Sequence, residues 1–139
     1  MSIRPPRYMD WPQRLANFVQ SRATTPFAWG QNDCCSFAAD AVLMMTGSDP
    51  MRLLRGRYST ERGAMRLMKK AGGLGPLVSR YMGAPIESPV VASRGDVVLV
   101  PVSPARSGLG ICVGADVAVV GEHGVLMINM TSALAAWRV

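Results

Sequence analysis

Few residues in this chain could carry covalent chemistry. Cys34 directly follows Asp33 and precedes Cys35, His123 is the single histidine, and Asn129 stands six positions beyond it. A cysteine attacks as its thiolate and needs a base within hydrogen-bond reach, usually an imidazole, plus a group that orients the base. Gly30, Asn32 and Asp33 are turn and cap residues, and Cys34, Phe37, Ala38, Ala41, Val42 and Met45 then recur at spacings of three and four. That period predicts a buried helix over 33–46, closed by Gly47. Cys34 falls in its first turn, where the helix dipole and unpaired N–H groups favour thiolate. The competing reading makes Cys34 and Cys35 small core residues. His123 lies in the turn Gly121–Gly124 between two apolar runs, a place where side chains usually face solvent.

The elements that must position these groups follow from patterning. Residues 1–9 read as an extended Pro/Arg arm, either a frayed end or a docking arm, ahead of one domain over 10–139. Asp10 can cap a helix in which Trp11, Leu15, Phe18 and Val19 share one face, fading near Ser21. Ser59 can cap a second helix through Ala64, Leu67, Met68 and Ala71, with Lys69 and Lys70 in its last turn and Gly72-Gly73 ending it. A short helical piece follows at Leu77–Met82. The second half predicts strands at 97–100, 109–113, 117–120, 125–130 and 135–139, with 101–108 as a loop. Helices first and an antiparallel meander after them imply an α+β fold of four to five strands. Met44, Met45, Met65 and Met68 read as core fillers, as do Trp11 and Trp29, while Trp137 reads as an anchor for the end of the chain.

Composition narrows the function classes. The 139 residues are 49% hydrophobic and 17% charged, which fits one packed domain and excludes a disordered chain. No apolar run reaches the roughly 18 residues of a spanning helix. The N-terminus lacks the hydrophobic stretch of a secretion signal. The net charge is +6, but the thirteen Arg residues are scattered and only nine aromatics occur, so a nucleic-acid partner is not expected. A negatively charged protein or surface suits the charge equally well. Three cysteines, two of them adjacent, do not form a disulfide framework. One His and no C-x-x-C give no metal site, and no cofactor motif is present.

Phe27-Ala28-Trp29-Gly30-Gln31-Asn32-Asp33-Cys34, then Arg94-Gly95-Asp96-Val97-Val98, then Leu109-Gly110-Ile111-Cys112-Val113-Gly114 resemble, in order, the blocks of the NlpC-type cysteine peptidases, a permuted branch of the papain-like fold. The resemblance spans roughly residues 8–139. It implies an NlpC/papain-like fold with Cys34 at the nucleophile position after Asp33. It also implies a base at Gly108, where this chain has no histidine, and a third polar group at Asn129. His123 is the one available substitute base. The resemblance is strongest to small phage tail-associated members, which are tail-tip or baseplate components or tail-assembly factors. It therefore implies a structural tail protein with lost chemistry, made in the host cytoplasm and carried in the virion, among hub, distal-tail or tail-tip subunits. The alternatives are an active endopeptidase that cuts peptidoglycan peptides during genome entry, and an assembly factor absent from the particle.

Overall fold

The computed structural model describes residues 4–139. Four helices precede a five-stranded antiparallel sheet: α1 (Trp11–Ser21), α2 (Cys34–Thr46), α3 (Glu61–Ala71), α4 (Leu74–Met82), β1 (Val97–Ser103), β2 (Arg106–Cys112), β3 (Asp116–Gly121), β4 (Gly124–Asn129) and β5 (Ala135–Trp137). The strand order is β4-β3-β2-β1-β5. This is the expected α+β architecture. No helix among the described residues is long and apolar enough to cross a membrane.

Helix α2 is the centre of the core. Phe37, Ala38, Ala39, Ala41 and Met45 are fully buried, so the helix is apolar nearly all round. Its alanines let it lie close to the sheet face formed by Val97, Leu109, Ile111, Ala118 and Trp137. The opposite face, with Val98, Val100, Cys112, Val117, Val119 and Ala136, is also buried, under Ile86, Ala92, Met130 and Ala133. A sheet covered on both sides needs runs of apolar residues rather than alternation, which explains Val97-Val98-Leu99-Val100. Gly110 is required where β2 crosses β3, because a Cβ there would stand 2.4 Å from the Ala118 carbonyl oxygen.

Several local expectations change. Asp10 makes no side-chain cap; its carboxylate pairs with Arg14 at 2.8 Å. Thr60, not Ser59, caps α3, its hydroxyl accepting from the Gly63 N–H. The short helical piece expected at Leu77–Met82 begins at Leu74, so α4 is longer than expected. The expected loop 101–108 is the outer part of a β1–β2 hairpin, irregular between Pro101 and Ser103. Pro101 is tolerated there because β5 pairs with β1 only over Val97–Leu99, leaving that edge open. Met44 is 39% exposed and is not a core filler.

The N-terminal arm is tied to the domain from Arg7 onward; its residues 1–3 lie outside the described residues. Arg7 donates to Asp96 at 3.0 Å, to the Arg94 carbonyl at 2.8 Å and to the Val139 carbonyl at 3.0 Å. Its guanidinium also lies 4.3 Å from the Trp11 ring centroid. Arg138 and the Val139 N–H close on the same Asp96 carboxylate at 3.2 and 3.0 Å. The Arg-Gly-Asp turn before β1 thus fastens both flanks of the chain.

Candidate functional site

The segment 27–33 is folded by its own polar groups. The Asn32 side chain donates to the carbonyls of Thr25 and Pro26 and accepts from Arg22 at 2.9 Å. Gly30 takes a positive φ of 79°, and a Cβ on it would lie 2.8 Å from the Tyr58 carbonyl oxygen. Asp33 is buried and extended, and its carboxylate accepts from the Gly30 N–H at 2.8 Å and the Ser36 N–H at 2.9 Å. It is the N-cap that the sequence requires. Cys34 is therefore the first residue of α2, as expected.

Cys34 lines a cleft of about 500 Å³ between the Phe27–Trp29 segment, α3, the start of α4 and the β1–β2 hairpin. Cys35 points elsewhere, into a small space beside Tyr58 and Met51. All three cysteines are free thiols. The Cys34 thiol is held below the ordinary range, first by a hydrogen bond from the Cys35 thiol and then, against burial, by the backbone N–H groups of Leu109 and Cys35. The same contact pushes Cys35 up, with burial adding to it. Burial raises Cys112 as well. Burial and the neighbouring Cys35 and Asp33 keep the Tyr58 hydroxyl protonated far above its usual range.

The expected partners of Cys34 are not brought to it. Gly108 does line the cleft, as the resemblance implies, but it has no side chain to act as a base. His123 caps the β3–β4 turn with its side chain 91% exposed, near Glu122, and is not among the residues lining the cleft. Asn129 is exposed at the far end of β4, opposite Asp116, and its side-chain oxygen accepts from the Thr131 N–H. The strand position level with the cleft is Val125, paired with Val120; Asn129 lies four residues further on, about 13 Å along the strand. What the cleft presents is Val120 from β3 and the Leu109 backbone from β2. No imidazole or carboxylate is among its lining residues. Trp29, expected in the core, stands in the cleft wall with Phe27 in an edge-on pair at 4.7 Å; Met65 joins it there, while Met68 both packs against the core, as expected, and lines the cleft.

The family model described as "Domain of unknown function (DUF6950)" matches residues 6–139. The chain belongs to this family. No curated protein matches the DUF6950 chain by sequence. Among solved structures, it is similar to the NlpC/p60 domain of the peptidoglycan hydrolase SagA. The TM-score is 0.56 at 17% identity, over 92% of this chain and 98% of that one. RipD from Mycobacterium tuberculosis, a non-catalytic NlpC/p60 domain protein adapted to peptidoglycan binding, aligns at TM-score 0.47 and 18% identity, over 95% and 99% of the two chains. The fold of this DUF6950 domain is thus NlpC/p60-like.

One reactivity follows from the thiol geometry. A water-soluble electrophile at pH 7 is expected to label Cys34 at least about tenfold faster than Cys112, with its half-maximal rate at a lower pH than that of Cys112. Peptide mass spectrometry across pH 5–9 reads both. Equal rates at the two thiols would contradict the lowered Cys34. Because the N–H groups and Cys35 suffice for this, fast labelling does not by itself report hydrolysis.

Proposed function

We propose that this chain is a structural component of a phage tail tip or baseplate, built on an NlpC-like domain that has lost its hydrolytic chemistry. The observation that carries the loss is the pairing of a poised Cys34 with Gly108, Leu109 and Val120 where a base and its orienting group would stand. A thiolate alone can add to a carbonyl, but an amide's leaving nitrogen needs a proton. General acid–base assistance is worth about 10²–10⁴ in rate. The tail assignment is supported by the form of the Phe27–Cys34 block, which most resembles that of phage tail-associated members. In this reading the protein is made in the host cytoplasm and retained in the virion. There it contacts hub, distal-tail or tail-tip subunits.

The decisive assay offers peptidoglycan and its stem peptides to the wild-type protein and to Cys34→Ala. Both are expected to leave the substrate at the buffer background. Cleavage that Cys34→Ala abolishes would overturn the silent reading and establish the alternative, an endopeptidase acting at genome entry. The lowered thiol of cleft-lining Cys34 favours that alternative, and its base would be His123 or a histidine of a neighbouring subunit. Quantitative mass spectrometry of purified particles is expected to find the protein in a small fixed ratio to tail-tip subunits. Its absence from them would assign it instead to tail assembly.

A further inference from the structure

The cleft over Cys34 combines apolar walls with an unneutralised cationic rim. Phe27, Trp29, Met65, Met68, Val102 and Val120 form the walls, and Lys69 stands at the edge. Along α3, Arg62, Arg66, Lys69 and Lys70 are all exposed and fall at helical spacings of three and four, a strip adjoining Met65 and Met68. Like charges at that spacing weaken a helix. Among the described residues, none of these four has a salt-bridge partner. Glu61, in the first turn of the same helix, pairs with Arg106. The strip therefore has no compensating anion within the domain. Its chemistry complements an external one.

We propose that this cleft docks an acidic, apolar-anchored peptide segment of a neighbouring protein. A large aromatic or aliphatic side chain of that segment enters between the Phe27–Trp29 pair and the two methionines. Carboxylates beside it meet Lys69 and Arg66. Methionines suit such a wall because they repack around different anchors. The inference rests on the silent reading of Cys34, since a segment that was cleaved would not remain seated. A nucleic acid fits less well: Phe27 and Trp29 are packed edge-on against each other and offer no ladder of free stacking faces.

The test is selection from a random 12-residue peptide library on the immobilised full-length protein, followed by solution binding of the enriched peptides. Enriched sequences are expected to pair a Trp, Phe or Leu with two or more Asp or Glu. Binding is expected to fall by at least about tenfold in Arg66→Glu/Lys69→Glu and in Val102→Glu. Val102 is half exposed, so its variant tests the wall without disturbing the core. Circular dichroism confirms that both variants fold. No enrichment, enrichment of basic or wholly polar peptides, or binding unchanged in the folded variants would overturn the proposal. So would tighter binding of a duplex DNA or of anionic phosphatidylglycerol vesicles through the same residues. Peptides cut by the wild type and spared by Cys34→Ala would count against the silent reading, while failure to enrich any peptide counts against docking alone.

Discussion

Replacing Asp96 with Asn is expected to cost about 3–5 kcal/mol of folding stability, because it breaks a buried ion pair and leaves its partners unmatched. The carboxylate is fully buried and serves Arg7, Arg138, the Ser93 N–H and the Val139 N–H together. An amide keeps one acceptor oxygen and brings two N–H donors into a site already crowded with donors. The Arg7 and Arg138 side chains are 16% and 35% exposed, so they recover some hydration and hold the loss toward the lower end of that range. Urea unfolding monitored by tryptophan fluorescence measures the change. Against a typical total of about 5–15 kcal/mol, a single such loss is large. Arg7→Gln added to Asp96→Asn is expected to cost less than the sum of the two single changes, since both remove the same contact. A loss under about 1 kcal/mol for Asp96→Asn would place the pair with ordinary surface bridges.

Trp137→Ala is expected to destabilise by about 3–5 kcal/mol, the range for truncating a buried aromatic. The ring is 1% exposed in the main core, and its indole N–H donates to Ser79 Oγ at 3.1 Å. Strand β5 pairs with β1 over only three residues, so packing rather than the ladder holds this end of the sheet. Trp137→Phe separates the two contributions: it keeps most of the packing and removes the hydrogen bond, at about 1 kcal/mol. Thermal unfolding of the two variants decides between them. If Phe cost as much as Ala, the hydrogen bond to α4 would be the anchor.

The parts of the fold legible from sequence are those fixed by short-range chemistry. Asp33 and Gly47 bracket α2 because a cap and a left-handed terminator act on their own neighbours. The meander was legible because Gly and Asp turns interrupt apolar runs. What escaped depends on distant partners. Arg7 looked like part of a free arm because its acceptor, Asp96, lies 89 residues away. Asn129 is a site residue only through the resemblance, which implies a third polar group there. Only the register of Val120 with Val125 shows that the cleft lies at the other end of that strand. Trp29, Met65 and Met68 carried the apolar signal of a core, and apolar patterning does not separate a core wall from a cleft wall. The position of Cys34 was readable; the emptiness of its surroundings was readable only at Gly108.

The shared fastening at Asp96 has a topological consequence. With the Arg7 side chain bonded to the Val139 carbonyl, the segment from Arg7 to Val139 is nearly a ring closed by a non-covalent clasp. A bridge of about three or four residues could make that ring covalent. The β1–β2 turn at Pro104-Ala105 is exposed, so it is a natural place to cut the ring open. The order in which the elements are strung along the chain is therefore separable from how they pack.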